Sequence, residues 1–473
     1  MNKLCKIILL LFFLFESKSY AYDISFTHKS LTEKSVDISE INNIIINSLG
    51  IFKGLDEVIN GYNLKDIITK GSVDEDNKVR AYNHFHNPLP EINAGLDDNI
   101  SIANLFFDFS GQSTVDWAFG ETICNSEDPS NDGVCNDYTW GRAREYYYKA
   151  LTADNDFDRL DSFSKSFERF GRVLHLLEDM SVPAHTRNDM QGHLSFIKFS
   201  WKKQMNQNTW DEFKRVLLEN VKDWGGNLYE YYLLDEFKSE RKTLSDFLPK
   251  KDEEIKNNIP KFSKPQDYWD RNVYMRGNNP NPDSTLLVNG KEQAGLSEIS
   301  NANFFSMNTI FKEGVDVKDK HWFPYPSKNG ISEYQVYEVV QAKDKKIDKW
   351  TYLKKDKEGL AVDKLVAVNY FAKPLDELTD QEKAQCGPKC DPGGLYVLKT
   401  KLDNPINDYY ATILLPKTVA YTAGLINYFF RGRMGIVPKF SGYDAESQMF
   451  KKVTVAATND SKWIDDRIEP MPY

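Results

Sequence analysis

Apolar residues recur at spacings of three and four over Ile38–Leu49, Tyr138–Ala153, Phe157–Met180 and Trp210–Phe237, which predicts helices in each and an α-helical domain reaching about Leu248. From Pro249 to Asn303 the chain turns to Pro, Asn, Lys and Asp, a composition that predicts long surface loops. Residues 330–407 change period: EYQVYEVVQ, KWTYLKK, KLVAVNYF and GLYVLKT alternate apolar and polar positions, which predicts a small sheet. Asp408–Arg433 is apolar enough to weigh as a membrane span, but Pro416 and Lys417 interrupt it and its polar residues fall on one side, so a buried or amphipathic helix is expected. MFKKVTVAATND after it reads as a strand or two, and no internal repeat is visible.

The first residues carry a different signal. Lys3 and Lys6 precede the apolar run IILLLFFLF, too short to cross a bilayer, and Ser19-Tyr20-Ala21 supplies the small residues of a cleavage site. Residues 1–21 are therefore expected to be a signal peptide, with the mature chain starting at Tyr22 and exported to the periplasm or beyond. The divisions expected after it are a helical domain over 22–313, a loop and β-rich insertion over 314–407, and a C-terminal helix with a short tail over 408–473.

Composition narrows the class. The 473 residues carry 60 Lys+Arg against 70 Asp+Glu, a formal net charge of −10 that argues against a general nucleic-acid coat protein. With 41% hydrophobic and 13% aromatic residues, a wholly disordered or collagen-like chain is excluded. Past the leader, Cys124, Cys135, Cys386 and Cys390 form an even set suited to disulfides in an oxidising compartment, and the sequence-local pairings Cys124–Cys135 and Cys386–Cys390 are favoured. A four-cysteine zinc site is the alternative, and it lacks C-x2-C spacing.

The chemistry sits with the histidines. Of seven, six lie within the first 193 residues. In RVLHLLEDMSVPAHTRND, His175 and Asp179 are four apart on a helical segment, so both project from one face and can grip one cation. Pro183 ends that helix, which lets His185 return toward the same cavity. A second cluster, GSVDEDNKVRAYNHFHNP, offers Asp74, Glu75, Asp76, His84 and His86; a third, YDISFTH, puts His28 near the new N-terminus at Tyr22. Carboxylate, imidazole and amine together suit zinc. Standing alone, Asp74–Asp76 would read as a solvated acidic turn.

These motifs resemble those of the zinc-dependent phospholipases C and their relatives, the fungal single-strand nucleases: a histidine near the mature N-terminus, G-S-x3-D followed by H-F-x-x-P, and H-x3-D-x5-H on a helix. The likeness covers residues 22–200 well and continues loosely to about 310. SNANFFSMNTIF and LLPKTVAYTAGLINYFFRG look like segments of a secreted bacterial branch, and residues 330–407 have no counterpart there. The resemblance implies a mainly α, multi-helix phospholipase C-like domain holding two or three zinc ions. It implies a first zinc on His175, Asp179, His84 and Asp76, with Asp74 in reserve. Asp179 would bridge to a second on His28 and the amine and carbonyl of Tyr22, and His185 with His193 would hold the third. Where the family completes that third site with an acid, this chain has Ile197, leaving Asp189 or Asp211 as substitutes.

A zinc cluster suits phosphate-ester hydrolysis, with Asp76 placed to orient or deprotonate the attacking water. The expected function is thus a secreted zinc-dependent phosphoric diester hydrolase of phospholipase C type, acting on phospholipid, with membrane contact inferred only through that substrate and no protein partner. A single-strand nuclease with the same cluster is one alternative, which the negative charge disfavours. A binding protein that keeps the scaffold without turnover is the other, favoured by Ile197. A Ser-His-Asp hydrolase is disfavoured because no G-x-S-x-G occurs.

Overall fold

A computed structural model describes residues 24–76, 78–89, 94–102, 105–120, 135–189, 229–273, 294–306, 331–340, 347–356, 360–371, 396–432 and 434–459. The expected signal peptide, Tyr22, His193, Ile197, Asp211, Cys124, Cys386 and Cys390 lie outside the described residues, as does most of the helix expected from Trp210. Cys135 is buried.

The described chain is mainly helical. A π-helical turn, Ile24–His28, leads into α1 (Lys29–Ile38), and α2 (Ile41–Asn47) follows. The helix that periodicity predicts over Ile38–Leu49 forms as α2, and the chain breaks ahead of it at Ser39. That residue is extended (φ −74°, ψ 172°), and its hydroxyl donates to Val36 O at 2.8 Å and accepts from Ile41 N–H at 3.3 Å, taking over backbone groups that a continuous helix would use. A two-residue hairpin, β1 (Val58–Ile59) and β2 (Tyr62–Asn63), turns on Asn60 and Gly61, both at positive φ. Asn63 then caps α3 (Leu64–Glu75) by accepting from Asp66 N–H at 2.7 Å. The hairpin β3 (Asp97–Ile102) and β4 (Leu105–Ser110) and the short α4 (Thr114–Phe119) lead to α5 (Trp140–Thr152) and the central α6 (Asp156–Glu178), close to the spans that periodicity predicts. A 3-10 turn, Asp179–Ser181, and α7 (Pro183–Thr186) complete this half.

The crossing of α3 and α6 positions the site. A Cβ on Gly71 would stand 2.1 Å from Glu168 O, and one on Gly171 would stand 2.0 Å from Ile68 O, so only glycine permits the helices to lie this close.

The second half contains α8 (Tyr229–Lys238), α9 (Asp252–Lys256) and α10 (Leu296–Asn303). Surface loops were expected over Pro249–Asn303, yet every residue of α10 is buried, as are Tyr268 and Trp269. Scattered aromatic residues outweigh the polar composition here: Trp269 buries its ring in the core and its Nε1–H donates to Leu176 O at 3.1 Å. The sheet expected over 330–407 forms as an antiparallel meander, β5 (Ile331–Val340), β6 (Ile347–Lys355), β7 (Val362–Phe371) and β8 (Tyr396–Lys401), with bulges in all three pairings.

The apolar segment weighed as a membrane span is α11 (Asn404–Phe429), and no helix among the described residues is long and apolar enough to cross a membrane. Its hydropathy has another cause. Tyr421, Leu425 and Ile426 join the core built on α3, α5 and α6, whereas Ile406, Tyr410, Leu414 and Ala423 join the core under the sheet, so α11 is buried on several sides between the two. A hairpin, β9 (Met434–Asp444) and β10 (Met449–Asn459), follows, with Val437, Phe440 and Phe450 exposed.

Candidate metal centre

Six of the expected ligands, His28, Asp76, His84, His175, Asp179 and His185, lie in three segments of the described chain, and the glycine crossing brings the segments that follow α3 and end α6 together. His175 ends α6 facing α3, Asp179 follows one turn later, and Asp76 caps the C-terminus of α3. His84 follows a 3-10 turn, Lys78–Asn83, and His28 enters from the π-helical turn before α1. The side chains of His28, His84, His175 and Asp179 are fully buried, and Asp76 and His185 are nearly so.

The distances describe a cation cage. His84 Nδ1 lies 2.9 Å from Asp179 Oδ2, 3.3 Å from His175 Nε2 and 3.6 Å from Asp76 Oδ1. His175 Nε2 lies 3.3 Å from Asp179 Oδ2 and 3.8 Å from Asp76 Oδ1. For ligands about 2.0–2.1 Å from a tetrahedral metal, neighbouring donor atoms stand roughly 3.3–3.4 Å apart, and these five separations bracket that value. Asp76 therefore occupies the place for which Asp74 was the reserve, while Asp74 lies on the partly exposed face of α3 and pairs with Lys70.

Two further groups adjoin this one through Asp179. His28 Nε2 is 3.2 Å from Asp179 Oδ1, and the His28 ring stacks on His175 at 3.7 Å between centroids. On another side, His185 Nε2 is 3.9 Å from Asp179 Oδ1 and 3.1 Å from Glu230 Oε1. The sets His28–His175–Asp179, Asp76–His84–His175 and Asp179–His185–Glu230 each bring three possible ligand atoms within 4.8 Å of one another. Glu230, on α8, is the residue that sequence reasoning missed. Asp189 is buried but joins none of these sets.

A bound cation would answer a specific deficit. Both carboxylate oxygens of Asp179 are buried and accept no hydrogen bond, although three imidazoles approach them within 3.3 Å or less. A buried acceptor left so costs about 1–3 kcal/mol, more if charged. Burial holds His28 and His84 well below the usual imidazole range and also lowers His175 and His185, so all four favour the neutral, metal-binding form. Burial likewise pushes the carboxyls of Glu178 and Asp179 well above the usual range. Neutral imidazoles and destabilised carboxylates around one point are the donor set that a divalent metal stabilises.

The surroundings fix this geometry. His185 Nδ1–H donates to His84 O at 2.9 Å, which turns Nε2 toward Glu230, and His86 N–H donates to His185 O at 3.1 Å. Glu75 is gripped by Arg80 at 2.7 Å, by Arg172 at 3.3 Å and by Trp117 Nε1–H at 3.0 Å; burial raises its pKa, but the two guanidiniums outweigh that and hold it low. His86 belongs to a separate network. Its Nε2 lies 2.9 Å from Asp270 Oδ2, its Nδ1 lies 2.9 Å from Ser113 Oγ, and Asp270 in turn hydrogen-bonds Glu298. Ser113 Oγ caps α4 by accepting from Val115 N–H at 3.2 Å, and the group is buried, so this serine–histidine–aspartate row ties loops together.

No family model, curated protein or solved structure matches the chain.

Proposed function

We propose that this chain is a zinc-dependent phosphoric diester hydrolase of phospholipase C type, exported, with a phospholipid as its substrate. The observation that carries the reading is the buried Asp179, whose two oxygens face His84 and His175 on one side and His28 and His185 on the other. One carboxylate shared among adjacent ligand sets is the way a protein holds metals close enough to act on one phosphoryl group. The residue order also supports it, since the G-S-x3-D, H-F-x-x-P and H-x3-D-x5-H motifs converge on a single buried cluster.

In this reading Asp76, His84, His175 and Asp179 hold one zinc, His28 and Asp179 contribute to a second, and His185 with Glu230 contributes to a third. When bound, zinc supplies Lewis-acid polarisation of phosphoryl oxygens and makes water acidic enough to attack near neutral pH. The chain's own residues set the conditions: burial keeps the imidazoles neutral, Arg80 and Arg172 keep Glu75 from competing as a ligand, and Asp76 orients the attacking water. Elemental analysis combined with parallel assays on phosphatidylcholine and single-stranded DNA tests the proposal. Zinc with phosphatidylcholine cleavage supports it, cleavage of DNA alone moves the assignment to a nuclease, and metal-loaded protein inert on both would make it a binding protein.

A further inference from the structure

Glu178, at the end of α6 and one residue before Asp179, is fully buried and belongs to none of the three ligand sets. Its Oε2 lies 2.7 Å from His28 Nδ1. Its Oε1 accepts from Thr32 Oγ1 at 2.8 Å, and that hydroxyl lies 2.9 Å from Ser72 Oγ. Three helices thus meet at one carboxyl group: α1 through Thr32, α3 through Ser72 and α6 through Glu178 itself. An acid placed there without a lysine or arginine contact among the described residues is expensive unless its acceptor capacity is used.

We propose that Glu178 is a positioning residue for His28, accepting a hydrogen bond from Nδ1–H and thereby presenting Nε2, 3.2 Å from Asp179 Oδ1, as the ligand atom. An imidazole binds metal through an unprotonated nitrogen, so a hydrogen bond at one nitrogen selects the tautomer that leaves the other available. The opposite tautomer would direct an N–H at Asp179 and close the site. Stacking on His175 fixes the ring plane, with 19° between the rings, and the Glu178 bond fixes rotation within that plane. Thr32 lies four residues after His28, so the turn entering α1 carries the ligand and the first turn of α1 carries a brace for its partner. The last turn of α6 accordingly supplies two adjacent carboxyl groups with different tasks: Asp179 binds, and Glu178 orients.

This inference rests on the metal-centre reading, and the test separates the two. In full-length E178Q and E178L, zinc affinity is measured by chelator competition and the His28 tautomer by nitrogen NMR of the metal-free protein, with thermal melting to check folding. The expected result is a 10–100-fold weaker affinity for one zinc equivalent, the size seen when such supporting carboxylates are lost, with the other equivalents unchanged. It also includes an Nδ1-protonated His28 in wild type. E178Q, which nearly preserves shape, keeps the test valid if E178L melts early. Affinities within twofold of wild type in both variants, or an Nε2-protonated His28, would overturn the proposal. Wild type binding no zinc would overturn the metal centre, and the tautomer would then decide the role of Glu178 on its own.

Discussion

Replacing Gly71 with alanine should damage the metal centre far more than the fold. The added Cβ would stand 2.1 Å from Glu168 O and 2.9 Å from Glu168 C, whereas ordinary contact begins at 3.4 Å, so 3.4 − 2.1 leaves a deficit of 1.3 Å. Both obstacles are backbone atoms, so no side chain can rotate away and α3 must move relative to α6. Overpacking of this kind costs about 1–3 kcal/mol, and alanine returns about 1 kcal/mol in helix propensity over glycine, so the net loss of stability should be about 0–2 kcal/mol. The ligands suffer more. Asp76 rides on α3 while His175 and Asp179 ride on α6, and coordination distances tolerate only about ±0.2 Å. Zinc affinity of the Asp76–His84–His175 set should therefore fall at least tenfold while far-ultraviolet circular dichroism stays native. Gly141→Ala serves as control, because its Cβ would meet nothing nearer than 3.8 Å and it should be neutral or slightly stabilising. Native zinc affinity in Gly71→Ala, at native stability, would refute the claim that the glycine crossing sets the ligand spacing.

Asp179→Asn should cost zinc from more than one set, since this carboxylate belongs to two of the three and faces His84 and His175 of the other; elemental analysis returning the full wild-type content would contradict the shared-ligand arrangement. Glu230→Gln should weaken only the set containing His185, leaving the Asp76–His84–His175 set loaded, and equal losses from both would argue against Glu230 as a ligand. For the metal-free protein, the four imidazoles with lowered pKa contribute stability that is present above the unfolded value of 6.5 and lost as the pH falls through it. Glu178, Asp179 and Glu298, with raised values, act in the opposite sense, contributing at low pH and losing that contribution as pH rises. Because the two sets oppose each other, one imidazole is isolated by its loss: between about pH 6 and about pH 5 the melting temperature of chelator-treated protein should change in a more destabilising direction in wild type than in His84→Gln, which lacks one imidazole with a lowered pKa. The same or a less destabilising change in wild type would refute this. Glu75→Gln leaves Arg80 and Arg172 buried opposite a neutral group and should cost about 3 kcal/mol in urea unfolding; a change below about 1 kcal/mol would mean the network is more solvated than its burial implies.

Sequence legibility followed the range of the interaction. His175 and Asp179 were readable because four residues make one helical turn, and the β6 and β7 strands were readable because side chains alternate with period two. Where tertiary contacts decide, local pattern misled. Composition placed 249–303 on the surface, yet Trp269 and the whole of α10 are buried, because a few aromatic residues anchor a stretch whose average is polar. For α11, by contrast, Pro416, Lys417 and the placement of its polar residues point to the buried helix that forms, and its hydropathy arises because two cores meet on it. Asn60-Gly61 is a hairpin signal set within a region whose periodicity is otherwise helical.

Glu230 shows why a motif departure is weaker grounds for lost function than it looks. The pattern this chain resembles has an acid where Ile197 stands, which by itself implies a gap in the third ligand set. Ligation happens in space, and a carboxylate 45 residues from His185 in sequence stands 3.1 Å from its Nε2. The signal was present, though faint: Leu233 and Phe237 mark the buried face of α8, and Glu230 lies three residues before Leu233 on that same face, almost fully buried. A charge inside an apolar stripe pays a desolvation cost that selection retains only where something offsets it. At His185, the residue at 197 alone therefore does not determine whether the site has a carboxylate, and replacing Glu230 tests the third set more directly than restoring an acid at 197 would.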